Sequence, residues 1–261
     1  MGPLSGLSKI GGSKVSVRCF LIGMIVLFTV GILISPGYTK IKPEIIVGMW
    51  RFDEGGGDIA KDSSGKGNDG KFVNNPKRVA GKFGTALEVN GTNGVQVPHT
   101  DSLSLSTFTI AAWIKLDKGG SWQQVVVKPE RNYSVGVSPA NLVECAFTVG
   151  GNYRTALGKT PVTDGQWHHV TGTYDKTFIR VYVDGVLEAE NSCVEQPALT
   201  TQAVIIAGPG EAIVEGIVDE VYIFNTALKI DEIEEVIQGM DKAVEPAGKL
   251  SAAWGRVKTA Y

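Results

Sequence analysis

"QWHHVTGTYDKTFIRVYVDG", Gln166 to Gly185, holds two of the chain's three histidines and two aspartates in a β-branched, aromatic-rich stretch. It reads either as a metal or catalytic centre or as two strands with their turns. Two-residue alternation puts His168, Val170, Gly172 and Tyr174 on one strand face and Trp167, His169, Thr171 and Thr173 on the other. The histidines therefore point to opposite sides, and neighbours in a strand cannot chelate one ion. Asp175 opens the turn "DKT", where its side chain can cap backbone amides. Ile179, Val181 and Val183 form the core-facing set of the second strand, and Asp184-Gly185 is the pair expected at a tight hairpin turn. Strands and turns are the reading the residues favour.

The same texture extends outward. From about Ile45 to Phe224 roughly a dozen short β-rich segments, among them "FTIAAWIKL", "QQVVVKP", "LVECAFTV" and "IVDEVYIF", are cut by Gly, Asn and Asp. Such spacing is that of a sandwich or barrel, and no helical period between strands supports a parallel sheet. The expected class is all-β. "ALKIDEIEEVIQGM" is the exception: Leu228, Ile230, Ile233, Val236 and Ile237 form a helical stripe, Asp231, Glu232, Glu234 and Glu235 face away, and Gly239 ends the helix. Trp50, Trp113 and Trp167 lie within strands and are expected in the core. Residues 241–261 read as a loosely ordered tail.

With 25 basic and 27 acidic residues the net charge is -2, so no basic excess exists to neutralise a phosphate backbone, and nucleic acid is not an expected partner. Lys9, Lys14 and Arg18 precede an uncharged run, residues 19–34, that ends at Ser35-Pro36-Gly37. This is the bacterial-type layout of a basic region, an apolar segment and a small-residue cleavage site. Sixteen residues are fewer than the roughly 20 a bilayer asks of a helix, so residues 1–37 are read as a signal peptide or an uncleaved membrane anchor. The expected location is extracytoplasmic: secreted, periplasmic or anchored. In an oxidising compartment Cys145 and Cys193 either form a disulfide or stay apart, Cys145 serving as a small buried hydrophobe.

At this point a family resemblance can be stated. "DGQWHHVTGTYDKTFIRVYVDGVLEA", residues 164–189, is similar to the hairpin of LamG-like jelly-roll domains of the concanavalin A-like lectin and glucanase superfamily. "GMWRFDEGGGDIAKDSSGKGNDGKF" resembles the family's opening strand and glycine-rich turn, "FGTALEVNGTNGVQVPHTDSLSLSTFTIAAWIKL" its next strands, and "GIVDEVYIFNTALKIDEIEEV" its last strand and helix. Together they cover about residues 46–238, within a domain placed at 45–240. The resemblance implies two curved antiparallel sheets and a structural calcium where the first and last strands meet. Asp53 and Asp219 match positions from which its ligands would come, with Asn90 and Gly91 as further oxygen donors. On the residues alone, Asp53 and Asp219 equally fit turn caps. "KDSSGKGNDG" lacks an EF-hand's acid spacing and reads as a capped glycine turn.

The resemblance also implies a glycan or protein ligand on the loops or the concave face. Trp122, Arg131, Asn152 and Tyr153 carry suitable loop chemistry, flat rings for sugar faces and planar polar groups for hydroxyls. Glucanases of the superfamily place acids at alternate positions of one strand, and this chain has no such strand. Asp53-Glu54 and Asp219-Glu220 are adjacent and so expected on opposite faces, and Asp231 to Glu235 are helical. No catalytic residue is assigned. The expectation is a non-catalytic binding module, with a polysaccharide hydrolase or a structural envelope protein as alternatives.

Overall fold

The computed structural model describes residues 41–210 and 213–240, without the side chain of residue 131. The signal or anchor at 1–37 and the tail at 241–261 lie outside the described residues. Alternation becomes sixteen strands among those described. They are β1 (Ile46–Trp50), β2 (Ile59–Ala60), β3 (Gly70–Val73), β4 (Lys77–Ala80), β5 (Thr85–Asn90) and β6 (Gly94–Val97). Then come β7 (Phe108–Lys115), β8 (Gln123–Lys128), β9 (Tyr133–Val137), β10 (Leu142–Val149) and β11 (Asn152–Pro161). Last are β12 (Trp167–Tyr174), β13 (Phe178–Val183), β14 (Val186–Ser192), β15 (Val204–Ile206) and β16 (Glu215–Phe224), before helix α1 (Ile230–Ile237). No helix of the described residues is long and apolar enough to cross a membrane.

The strands form two antiparallel eight-stranded sheets, the jelly-roll sandwich expected of the sequence. One runs β14-β13-β12-β7-β16-β5-β4 with β1 also on β16, and the other β11-β10-β9-β8-β15-β6-β3-β2. The opening stretch supplies β12 and β13, two paired strands of the first sheet beside β7. Val170 pairs with Val183 and Tyr174 with Ile179, and Asp184 and Gly185, at φ 50° and 82°, close the two-residue turn to β14. Asp175 Oδ1 accepts from Thr177 N at 2.8 Å and Phe178 N at 2.7 Å, as a turn cap should.

Ile179, Val181 and Val183 are buried between the sheets with Phe108, Tyr133, Phe147 and Tyr174, whose rings pack in tilted and edge contacts. Burying such side chains stabilises by roughly 1.5–3 kcal/mol each. Cys145 belongs to this core, and its Sγ would lie 2.6 Å from a Cβ on Gly172. Cys193 directs its Sγ at the Glu195 carbonyl 4.0 Å away. Both are free thiols, so the disulfide reading is corrected: β10 turns Cys145 into the packed centre, where burial pushes its thiol pKa up.

A second apolar layer lies on the outer face of the first sheet, where Ile233 and Val236 of α1 cover Ile46, Met49, Tyr222 and Phe224. Glu232 accepts from Lys229 N at the helix start, and Gly239, at φ 82°, ends it. Two details differ from the expected stripe. Ile230 is 45% exposed at the first helical position, whereas Glu235 is buried because the segment entering β1 passes beside it and donates Ile41 N at 3.4 Å.

Trp50 is fully buried and donates Nε1 to the Asn68 carbonyl at 3.0 Å. Trp113 is also buried, and Trp167 half-buried at the start of β12. Two residues before Trp50, Gly48 has no room for a side chain, since a Cβ there would sit 2.2 Å from the indole. Gly48→Ala is expected to cost about 1–3 kcal/mol in urea unfolding, the range for overpacking. Gly55→Ala, in open space, should change little; equal effects would refute this packing.

Candidate functional site

Antiparallel pairing fixes which residues can act together, and it divides both sets expected from the sequence. Of the calcium set, Asp53 accepts from Thr85 N at 2.8 Å at the start of β5, and Asp219 accepts from Phe83 N at 3.1 Å. Asn90 is the other end of β5, opposite Glu215, and Gly91 follows it. Five residues of strand, about 16 Å, separate the two halves. Asp53 and Asp219 thus converge on the 81–84 turn, while Asn90 and Gly91 cannot join them.

The turn is fitted to both carboxylates. A Cβ on Gly84 would lie 2.1 Å from Asp53 Oδ1, and one on Gly81 2.5 Å from Asp219 Oδ2. Beside them a cavity of about 110 Å³ opens between Arg51, Asp53, Phe83, Glu220 and Tyr222. β16 is bulged here: Asp219 pairs with Trp113 and Tyr222 with Ala111, so two residues oppose Ala112, and Glu220 takes φ 48°. The bulge breaks the strict alternation from which Asp219 and Glu220 were expected on opposite faces. Both are buried, Glu220 N donates to Asp219 Oδ1 at 2.8 Å, and Tyr222 Oη donates to Glu220. Burial pushes the Asp219 carboxyl up to about 7, opposed by the Phe83 N–H and reinforced by the Glu220 charge.

Two carboxylates against a backbone turn whose glycines 81 and 84 leave no room for a side chain fit a hard cation by donor chemistry. Among the described residues no three carboxylate, imidazole or thiol groups converge to hold a metal, so most remaining oxygens would come from carbonyls and water. The glycine turn around Asp62 is self-capped: Asp62 accepts from Met49 N, Ser64 N, Ser64 Oγ and Asn68 N at 2.8–3.0 Å.

Next to Asp219, the register lines up Trp113 and His169 across three strands. Lys82 Nζ lies 3.8 Å above the Trp113 ring, Phe83 meets its edge, and His169 packs 5.3 Å away between centroids. The two neighbouring histidines do face apart. His168 is gripped by Asp184 at 2.8 Å and Asp164 at 3.1 Å; burial disfavours its charge, but these carboxylates outweigh burial and raise its pKa. His169 is fully buried, touches Thr171 Oγ1 at 3.2 Å, and burial pushes it down to about 3. His99 is elsewhere, 3.1 Å from Lys128 Nζ.

The loop set is divided too. β8 separates Trp122, just before it, from residue 131 beyond its far end, and β10 runs from the Trp122 end to the hairpin at Asn152 and Tyr153. Trp122 is 50% and Tyr153 55% exposed; the Arg131 side chain lies outside the described residues. What the sequence reading missed is an open groove of about 650 Å³ at the Trp122 end, formed by the end of β5, the turn before β4, the end of β7 and the start of β16. Its residues come from separate segments, and only the polar run "KLDKGG" after β7 hinted at it.

A family model described as the Concanavalin A-like lectin/glucanases superfamily matches residues 89–234, more than half the chain. The chain belongs to that superfamily. Compared by sequence with curated proteins, it has no match. Among solved structures, this superfamily member is similar to the binding domain of Paraclostridial Mosquitocidal Protein 1, with 16% identity and TM-score 0.63, covering 74% of this chain and 52% of that one. It is similar to domain 4 of AbnA, an extracellular arabinanase from Geobacillus stearothermophilus, in complex with arabinotriose: 18% identity, TM-score 0.57, 74% and 98% covered. The botulinum neurotoxin serotype D binding domain follows at 14%, TM-score 0.58, with 76% and 51% covered. The chain spans about half the length of the toxin domains, and at these identities the likeness is one of fold.

The buried His169 gives a pH signature. It stays neutral in the folded chain down to about 3, whereas the unfolded chain takes up the proton below 6.5, so stability present above pH 6.5 is lost as pH falls. At about 1.36 kcal/mol per pH unit, the chain should lose about 2 kcal/mol more than His169→Gln between pH 6.5 and 5. Parallel urea titrations at the two pH values check this; identical losses would mean that His169 is not held neutral.

Proposed function

We propose that the chain is an exported, non-catalytic binding module that takes a glycan or protein ligand outside the cytoplasm. The observation that carries the reading is the division of labour within the first sheet. The buried acids Asp219 and Glu220 are engaged in hydrogen bonds beside a cavity of about 110 Å³, while the large groove is open and polar. Of the groove's carboxylates, Glu88 is held by Lys77 at 3.0 Å and Glu215 by Lys118. A glycosidase needs instead an acid poised to protonate a leaving oxygen and a second carboxylate facing it. Export rests on the basic and apolar layout of residues 1–37, and the arabinanase whose domain 4 is similar in fold is extracellular.

A structural calcium at Asp53 and Asp219 belongs to the same proposal. Bound there it would neutralise the buried Asp219 carboxylate together with the exposed Asp53 and tie the 81–84 turn to the first and last strands, without a chemical role. Calcium is therefore expected to raise the melting temperature of the full chain, by mass action about 2.7 kcal/mol at a hundredfold excess over Kd. Asp219→Asn should abolish the calcium response. A melting temperature indifferent to calcium and chelator would sink the calcium assignment, and release of reducing sugar from a polysaccharide panel would sink the non-catalytic one.

A further inference from the structure

Asn90-Gly91-Thr92 is an asparagine two residues before a hydroxyl residue with no proline between them, the acceptor pattern for attachment of an oligosaccharide to an asparagine side chain in an exported protein. The pattern occurs twice in the sequence, the other instance being Asn132-Tyr133-Ser134. The structure separates the two. Asn132 is fully buried, its Oδ1 accepting Leu105 N at 3.2 Å and its Nδ2 donating to the Leu105 carbonyl at 3.0 Å. Ser134 is buried as well and donates Oγ to the Ala146 carbonyl at 3.2 Å. Both polar ends of that instance are engaged in the fold and closed to an enzyme.

Asn90 is the opposite case. It is the last residue of β5, exposed, at the turn towards β6, and Thr92 is exposed with it. Asn90 Oδ1 accepts Thr92 N at 3.1 Å and Thr92 Oγ1 at 2.8 Å, which holds amide and hydroxyl together as one unit. Among the described residues its Nδ2 donates to no protein group, so the nitrogen that would carry a sugar is the atom left over. Gly91 takes φ 80°, which glycine reaches without strain. Its N–H, the group that would otherwise close on the Asn90 side chain and expel the amide nitrogen, is held by the Val214 carbonyl at 2.7 Å. Alternation along β5 puts Glu88 on the same exposed face, two positions before Asn90. The Glu88 carboxylate is half-exposed and paired with the exposed Lys77 at 3.0 Å, a surface pairing weak enough to be exchanged for another cation. An acid at that position is what the stricter class of oligosaccharyltransferase demands of its acceptor.

We propose that Asn90 is a modification site, joined through Nδ2 to an oligosaccharide delivered on a polyprenyl diphosphate. Nδ2 attacks the anomeric carbon, the new C–N bond forming as the bond from that carbon to the diphosphate oxygen breaks. The diphosphate leaves with the electron pair, one Nδ2 proton passes to a base of the transferase, and nothing is oxidised or reduced. Asn90 also lines the open groove, so the attached chain stands at the groove's rim and limits what can enter. The proposal rests on the export part of the reading above and not on the module's ligand. In the test, the purified full chain in mild detergent is incubated with a single-subunit oligosaccharyltransferase of the acid-requiring class and its lipid-linked oligosaccharide, and the product is read by intact mass and peptide mapping. One oligosaccharide should be added, on the peptide that carries Asn90 and not on the one that carries Asn132. Asn90→Gln, Thr92→Ala and Glu88→Gln should each lose the addition at an unchanged melting temperature, and Thr92→Ser should keep it. A chain that stays unmodified, or an addition that survives Asn90→Gln, overturns the site. Transfer to the purified chain that does not recur when the chain is made in cells carrying the transferase overturns export and leaves the acceptor assignment standing.

Discussion

Strand β16 cannot keep one neighbour along its whole length. On one side it pairs with β7 from Ile217 to Phe224 across the bulge, but on the other it pairs with β5 over Glu215 to Val218 and with β1 over Val221 to Phe224. The two partners approach from opposite ends, and the handover falls at Asp219 and Glu220. A regular strand would leave backbone groups there without a ladder, and unpaired buried backbone is costly. The bulge and the Asp219 side chain resolve this: the carboxylate accepts the Phe83 and Glu220 N–H groups and fastens the 81–84 turn over the gap. The remaining cost is electrostatic, since a desolvated acid beside a second one resists ionisation.

This handover positions what lies on either side of it. The turn it fastens carries Lys82 and Phe83 onto Trp113, and the same cross-strand row ends in the buried His169. At the end where β1 has taken over, the outer face of the sheet is apolar and α1 closes it. Towards Glu215 the outer end is polar and carries the groove. One strand thus has a covered apolar end, a locked acidic middle and an open polar end.

The fold was legible because its signals are local. Alternation around Val170 to Val183 and the Asp184-Gly185 turn depend on residues a few positions apart, and the structure keeps them as read. The helix was legible in its stripe but not in Glu235, whose burial comes from a segment almost two hundred residues earlier. The sites were hidden for the opposite reason. Asp53 and Asp219 converge on the 81–84 turn only because β5 and β1 share β16, while Asn90, at the other end of β5, is carried a strand length away. Alternation also misled at Glu220, where a single bulged residue resets the faces.

In the proposed reading, the separation between a calcium seat at Asp219 and the open groove follows from what each chemistry needs. A cation that ties strands together gains from low dielectric and from rigid backbone oxygens, both of which the middle of β16 provides. A hydroxyl-rich ligand must exchange water for equivalent hydrogen bonds, and groups that are hydrated and weakly paired make that exchange at small cost. Strand ends offer such groups, because the side chains of the outermost ladder pairs can reach solvent while their backbone is still held by the sheet. Glu215 shows this: its N–H is fixed by Gln123, whereas its carboxylate reaches into solvent to Lys118. In this sandwich the strand middles supply rigidity, and the polar ends of β5, β7 and β16 meet at one open rim.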